Sequence, residues 1–171
     1  MRESEYLEGN AQLVEILKGL PAFENLKDEN IEKLIRFCRL RFYSTGEKII
    51  EEGQTDKSVY VLISGRVNIE KNNSPITSLH KPGELIGEMG FIAEEPRSAT
   101  VLADEDTTCL AFDGDYLDRI DIDGKLAFQA SIYRMFAQIL ANRLRITTQE
   151  YVKTKQEVDV LNRRLKKSWA R

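Results

Sequence analysis

Apolar residues recur at helical spacing in the first quarter of the chain. Residues 10–40 contain two such stripes, and Pro21 separates them. The first stripe consists of Leu13, Ile16, Leu17 and Leu20, and the second of Ile31, Leu34, Ile35 and Cys38. Asp28 or Asn30 can cap the second stripe. The spacing predicts two short helices before the main body of the chain.

The apolar period changes to two between Glu47 and Phe112. Short runs rich in β-branched residues follow one another there, separated by turn residues such as Asn72-Asn73. The predicted strands are Lys48–Ile50, Val59–Ile63, Arg66–Glu70, Ile76–Leu79, Ser98–Leu102 and Thr107–Phe112. Short strands without long helices between them favour an antiparallel β-roll of the jelly-roll type over a parallel sheet.

The pattern returns to helical spacing after Phe112. Residues 113–120 predict a short helix, and a second helical pattern runs from 125 to about 168. In heptad notation, the a positions are Ala130, Ala137, Leu144, Tyr151, Val158 and Leu165. The d positions are Tyr133, Leu140, Thr147, Thr154, Leu161 and Ser168. This arrangement predicts a two-stranded coiled coil, and therefore a homodimer through residues 130–168.

The predicted fold is mainly β with flanking helices: an antiparallel β-roll with N-terminal helices and a long C-terminal helix. We divide it into residues 1–124, the roll with its helices, and 125–171, the dimerisation helix with a basic tail. Charge follows this division, because residues 143–171 carry nine basic and three acidic residues while the whole chain has a net charge of −3. The basic end is either a solvated helix face or a contact for nucleic acid or an anionic membrane surface.

Composition excludes several kinds of site. The single histidine, His80, is too few for a multi-histidine metal centre, and no nucleophile-elbow pattern accompanies it. We therefore expect no metal and no catalysis. Cys38 and Cys109 lie in apolar segments and are expected to be free core thiols. No apolar run reaches membrane-spanning length and the acidic N-terminus is no signal peptide, which predicts a cytoplasmic protein.

The candidate chemistry lies in Pro82–Val101, read as PGELIGEMGFIAEEPRSATV. Its three glycines allow close approach of backbone, and Met89–Ile92 predicts a single helical turn. Arg97 and free amides suit a phosphate, whereas Glu88 repels one unless the ligand also offers a donor. A cyclic nucleotide presents a phosphate beside a ribose hydroxyl. Without ligand, Arg97 needs another partner, for which Glu88 is the candidate, and the alternative interpretation is an exposed surface ion pair.

The run GELIGEMG…PRSATV resembles the phosphate-binding cassette of the cyclic-nucleotide-binding domain family. The upstream stretch EKIIEEGQTDKSVYVLISGRVNI resembles the first strands of that family, and the likeness extends over Leu20–Thr148. RLRITT, residues 143–148, resembles the long helix of the catabolite activator family, where two hydroxyl residues contact adenine. The alternative for these threonines is a bond to the preceding helical turn.

The resemblance implies a role for each candidate residue. Glu88 accepts the ribose 2′-hydroxyl beside Gly87, Arg97 pairs with the cyclic phosphate, and Ser98 and Ala99 assist it. Thr147 and Thr148 read the base, one from each subunit, and Ile69 and Leu79 form an apolar floor. The predicted ligand-binding residues are Ile86, Gly87, Glu88, Met89, Arg97, Ser98, Ala99, Thr147 and Thr148.

The predicted function is that of a cytoplasmic cyclic-nucleotide sensor, in which ligand binding rearranges the C-terminal helix for an unknown downstream protein. Ser98 after Arg97 favours cAMP over cGMP by the same resemblance. The chain stops about twenty residues after Thr148, so we expect no helix-turn-helix DNA-binding domain. The alternative is a module of the same fold that has lost its ligand and acts only in structure or interaction.

Overall fold

The structure, a computed structural model, describes residues 1–7, 11–115 and 125–169. Its helices are α1 Ala11–Lys18, α2 Asp28–Ile35, α3 Glu88–Ala93 and α4 Lys125–Trp169, with a 3₁₀ turn at Pro21–Phe23. Its strands are β1 Arg2–Tyr6, β2 Cys38–Tyr43, β3 Lys48–Ile50, β4 Ser58–Ser64, β5 Val67–Lys71, β6 Ser74–Leu79, β7 Leu85–Ile86, β8 Thr100–Ala103 and β9 Thr107–Asp113.

The strands form two antiparallel sheets. One has the order β1-β2-β9-β4-β7 and the other the order β3-β8-β5-β6. All six predicted strands are present, as β3, β4, β5, β6, β8 and β9, and the predicted β-roll with a long C-terminal helix is confirmed. Cys38 was assigned to a helical stripe, which is wrong, because α2 ends at Ile35 and Cys38 is the first residue of β2. Strands β1, β2 and β7 were not predicted.

Both faces of β4, which lies between β9 and β7, are buried. Tyr60 and Leu62 belong to the interior cluster of the roll, whose other members are Tyr43, Ile49, Ile50, Val67, Ile86, Val101, Ala103, Cys109 and Ala111. Val59 and Val61 point to the opposite face and are fully buried as well. Two helices contact this sheet, α3 at β4 and α2 at β2. The two free cysteines, Cys38 and Cys109, are buried as predicted.

The chain divides into two compact units, Met1–Met135 and Phe136–Arg171. The first turns of α4 belong to the first unit, where Phe128, Ile132 and Met135 are buried and Asn30 donates a 3.2 Å hydrogen bond to Ser131 Oγ. The predicted domain boundary at residue 124 stays a prediction, and residues 116–120 of the predicted short helix lie outside the described residues. Among the described helices, none combines the length and apolar character that a bilayer crossing requires.

Gly65 offers a test of the roll's tight β4–β5 turn. Its φ is +96°, and a Cβ placed there would lie 2.5 Å from Thr107 Oγ1 and 2.7 Å from Asp106 O. We expect Gly65→Ala to lower the free energy of unfolding by about 2–4 kcal/mol, since left-handed strain adds to overpacking. Chemical denaturation measures the change.

Gly46→Ala is the matched control, because Gly46 has a φ of +83° and nothing within 4 Å of the added Cβ. The Gly46→Ala variant should lower the free energy of unfolding by only about 1 kcal/mol, because the substitution adds left-handed strain without overpacking. Equal losses in the two variants would contradict the packing argument.

Candidate functional site

The candidate site begins where β7 ends. Ile86 pairs with Tyr60 of β4, and Gly87 follows with a φ of +89° and caps the N-terminus of α3. A side chain is disfavoured in this left-handed conformation, so glycine permits the sharp change from strand to helix. Glu88 is the first residue of α3 and is 2% exposed. The turn therefore places the Glu88 carboxylate in the protein interior.

The guanidinium of Arg97 lies against the same turn. Arg97 is 4% exposed, and its Nη1 donates to the carbonyl of Gly87 at 2.7 Å. Its Nε and Nη2 donate to the two carboxylate oxygens of Asp56 at 3.1 and 2.6 Å, and Nη2 also donates to the carbonyl of Ser58. These four bonds use four of the five N–H donors of a guanidinium. The buried charge is thus compensated by one carboxylate and two carbonyls.

Asp56 holds the exposed end of this ion pair. Its side chain is 43% exposed, whereas that of Arg97 is 2% exposed. Oδ1 of Asp56 also accepts a 3.0 Å bond from the backbone N–H of Ser58. Burial raises the pKa of Asp56, but the hydrogen bonds from Arg97 and Ser58 and the charge of Arg97 outweigh it, so the pKa lies below its usual value. Asp56 is therefore a fixed anion at neutral pH.

The cassette glycines make room for Arg97. A Cβ on Gly87 would lie 2.7 Å from Nη1 of Arg97 and 2.9 Å from the carbonyl of Ser58. On Gly90, one turn of helix later, it would lie 3.1 Å from the same Nη1. From the sequence, these glycines were predicted to let the backbone approach a ligand closely. In the structure, the group that approaches them closely is the guanidinium.

Hydrogen bonds to the backbone hold the C-terminal part of the cassette, at Arg97 and Ser98. The N–H of Arg97 donates to the carbonyl of Gln54 at 2.7 Å, and the N–H of Gly53 donates to the carbonyl of Arg97 at 2.9 Å. Lys71 of β5 adds a 2.7 Å bond from Nζ to the carbonyl of Ser98. These contacts hold Arg97 against the turn that leads from β3 to β4. The direction of its side chain is therefore fixed by the roll.

Comparison with known proteins identifies the domain. Residues 40–121 match the family model described as "Cyclic nucleotide-binding domain", and this range includes the whole cassette. The chain contains a cyclic nucleotide-binding domain. Its resemblance to that family is thereby confirmed.

Curated relatives include proteins with different ligands in their names. The chain is 34% identical over 134 residues to the "Cyclic AMP receptor protein" of Thermus thermophilus, covering 75% of this chain and 59% of that protein. It is 30% identical over 106 residues to the "cGMP-dependent protein kinase" of Eimeria tenella, covering 62% of this chain and 10% of that protein. The chain thus spans less than two thirds of the length of either relative.

A solved cyclic nucleotide-binding domain from Methylobacillus flagellatus KT has the same fold. It superimposes with a TM-score of 0.74, at 19% identity, over 90% of this chain and 88% of that chain. At this identity the likeness shows the fold alone. It extends the match beyond residues 40–121 to most of the chain.

The predicted site residues of the cyclic nucleotide-binding domain fall into two groups. Ile86, Glu88 and Arg97 are buried, Gly87 and Ala99 are half-buried, and Met89 and Ser98 are exposed. These seven lie in the first compact unit. Thr147 and Thr148 are exposed residues of the second unit, so their part in the site stays a prediction. Ile69 and Leu79, the proposed floor, pack half-buried against the interior cluster of the roll.

Sequence reasoning missed Asp56. It expected Glu88 to pair with Arg97 in the absence of ligand, and the carboxylate that takes this role in the described bonds is that of Asp56. Asp56 lies 41 positions before Arg97, in a segment that looked only like a turn. Among the described residues, no group of three or more histidines, cysteines or acids is placed to hold a metal ion.

The Asp56–Arg97 pair predicts a pH-dependent stability. At neutral pH, Asp56→Asn should lower the free energy of unfolding by about 1–3 kcal/mol, less than for a fully buried pair because Asp56 is partly exposed. Because its pKa is lowered on folding, this contribution is fully present above the unfolded-state pKa and disappears as the pH falls below about 4. Denaturation of both chains from pH 2 to 7 measures it.

Glu51→Gln is the control, since the Lys48–Glu51 pair is exposed on both sides and should contribute less than about 0.5 kcal/mol. A constant difference between wild type and Asp56→Asn across this pH range would argue against the ion pair as the cause.

Proposed function

We propose that this chain is a regulatory protein that binds a cyclic nucleotide, cAMP rather than cGMP, at the cassette. The observation that carries the proposal is the buried Arg97 guanidinium, held against the turn that begins with buried Glu88. The Glu88 carboxylate thus lies one residue after Gly87, whose carbonyl accepts from Arg97. A ligand with an anion and a neighbouring hydroxyl uses both groups.

The cyclic phosphate binds Arg97 by exchange. A bidentate phosphate contact needs two N–H donors, and four of the five donors already have acceptors. The phosphate therefore replaces at least one of them. Asp56 is the partner best able to move, because it is 43% exposed and water can solvate its released carboxylate. The phosphate thus replaces the Asp56 carboxylate as the anion that compensates the buried charge of Arg97.

The sugar and the apolar part of the ligand use neighbouring groups. Glu88 accepts the 2′-hydroxyl, and the backbone N–H groups of Glu88 and Met89 in the first turn of α3 face the phosphate. This assignment fits the 55% exposure of the Met89 side chain, which is not needed for the contact. Ser98 and Ala99 contribute hydroxyl and backbone donors. Ile86, with Ile69 and Leu79, supplies the apolar floor.

The choice of cAMP is supported by the 34% identical relative, which is named as a cyclic AMP receptor protein. Ser98 directly after Arg97 agrees with the pattern of the catabolite activator family. We assign the base to Thr147 and Thr148, one from each subunit of a dimer. The cGMP-dependent kinase relatives make cGMP the alternative ligand.

The signal passes from the cassette to α4. Phe91 of α3 is buried and stacks on Tyr133 of α4, with ring centroids 5.6 Å apart and an interplanar angle of 20°. Gly114 leaves the space that the Phe91 ring occupies, since a Cβ at that position would overlap it. A shift of α3 on ligand binding therefore moves the ring that contacts α4, and differential affinity for the two positions shifts their population.

The output is a homodimer through α4. Leu144, Tyr151, Val158 and Leu161, all at a or d positions, are 48–69% exposed within the single chain. The buried residues of the first turns, Phe128, Ile132 and Met135, occupy other heptad positions. These buried residues are thus distinct from the exposed a and d positions, whereas Tyr133, a d position, contacts Phe91 of α3. The effector is a downstream protein in the cytoplasm, and no reaction is assigned to the chain.

The sharpest test of the ligand site compares cAMP with 2′-deoxy-cAMP. Calorimetric titration of the full chain should give saturable 1:1 binding of cAMP, and at least about tenfold weaker binding of 2′-deoxy-cAMP, because the deoxy sugar lacks the hydroxyl that donates to buried Glu88. Glu88→Gln should weaken cAMP binding and shrink the difference between the two ligands. cGMP, titrated in parallel, tests base preference.

Glu95→Gln is the control within the same segment, because Glu95 is exposed, and it should leave both affinities unchanged. Absence of cAMP and cGMP binding by a folded wild-type chain would favour the alternative, a structural module of the same fold. If Glu88→Gln weakened the binding of cAMP and of 2′-deoxy-cAMP by the same factor, the Glu88 carboxylate would not be the group that contacts the sugar hydroxyl.

Dimerisation is tested by sedimentation of the full chain. We expect a dimer in the wild type and a monomer in Leu144→Glu, because a charge at a central a position faces its own copy in the seam. Gln149→Glu, at the exposed f position, is the matched control and should remain dimeric. A wild-type chain that sediments as a monomer with and without cAMP would contradict the seam.

A further inference from the structure

Strand β1 forms the outer edge of the five-stranded sheet. Strand β1 pairs with β2, but its register shifts between Glu3 and Tyr6. Within this irregular stretch, the backbone N–H of Leu40 donates to Ser4 Oγ at 2.9 Å, where a regular ladder would use a carbonyl. β1 is therefore attached by a short and interrupted ladder. Side chains must supply much of what fixes it to β2.

Glu3 supplies one side-chain attachment of β1, beside the contact of Arg2 with the Phe42 ring. Its Oε1 accepts from Nε of Arg41 at 2.6 Å, and its Oε2 accepts from Nη1 of Arg39 at 2.8 Å. One carboxylate on β1 thus bridges two guanidinium groups on β2. All three side chains are between one quarter and two fifths exposed, so water only partly screens the interaction.

Arg41, which binds the Glu3 carboxylate, also contacts the interior of the roll. Arg41 also donates from Nη1 to the hydroxyl of Tyr60 at 2.9 Å, and its guanidinium lies over the Tyr60 ring at 5.6 Å from the centroid. Tyr60 is 4% exposed and belongs to the interior cluster. Tyr60 of β4 thus supports Arg41 in addition to its contact with β1.

We propose that the β2 edge, defined by Arg39 and Arg41, is a docking site for an extended acidic strand, and that β1 is its intramolecular occupant. The recognised feature is a carboxylate opposite Arg41, presented by a backbone that adds to the sheet edge. Two cations facing one anion explain why an acidic strand is selected. A partner segment with a carboxylate in this register competes with β1. This proposal is independent of the nucleotide site.

The test releases β1 within the full chain and offers the strand in trans. Glu3→Lys places a third cation beside the two arginines and should detach β1. The acetylated peptide of residues 1–7, MRESEYL, should then bind this variant with one peptide per chain in calorimetry. Wild-type chain, whose edge is filled, should bind the peptide at least about tenfold more weakly. Raised salt should weaken the binding.

Controls separate this site from general attraction to an acidic peptide. A peptide with Glu3→Gln should bind at least about tenfold more weakly than MRESEYL. Chain variant Glu24→Lys carries the same charge change at an exposed position and should behave as wild type. Equal binding of both peptides, equal binding to wild type and Glu3→Lys, or peptide-independent self-association of Glu3→Lys would each overturn the proposal.

Hydrogen exchange of the wild-type chain provides a second readout if Glu3→Lys does not fold. The amides of β1 should exchange markedly faster than those of β9, because an exchangeable strand opens locally. Protection of β1 equal to that of β9 would show an integral strand and overturn the proposal.

Discussion

The structure depends on the compensation of one buried positive charge. Arg97 is almost fully removed from water, so its guanidinium requires acceptors on every side. Asp56, the carbonyl of Ser58 and the carbonyl of Gly87 provide them from three separate segments. Those segments are the turn before β4, β4 itself and the start of the cassette. Assembling the acceptors therefore fixes how the cassette sits on the roll.

The same requirement explains how a stable core becomes a ligand site. A structural ion pair between fully buried partners has no reason to open, because each charge would be left without compensation. Here one partner is buried and the other is 43% exposed, so the carboxylate of Asp56 can return to water when another anion replaces it. In the proposed site, Glu88 is the group that favours an anion carrying a hydroxyl.

Periodicity predicted the parts of the fold whose side chains alternate clearly. It found six strands and both ends of α4 to within a few residues, but it failed where one spacing fits two structures. Cys38 lies three positions after Ile35, which suits a helix, and also begins the alternating strand CRLRFY. β1 is short and polar, so it carried no apolar signal. The cassette residues were found from their chemistry. Asp56 could not be found, because its contact with Arg97 spans 41 positions and exists only once the sheet register is formed.

The most direct test follows the guanidinium of Arg97 itself. In an NMR titration of the ¹³C,¹⁵N-labelled full chain with cAMP, we expect a saturable 1:1 change in the ¹⁵N Arg97 Nε–H resonance. The ¹³C signal of the Asp56 carboxyl should shift with it, as its bonds to Arg97 are exchanged for phosphate. Resonances of Arg97 and Asp56 that remain unchanged at saturating cAMP and cGMP would contradict the central claim.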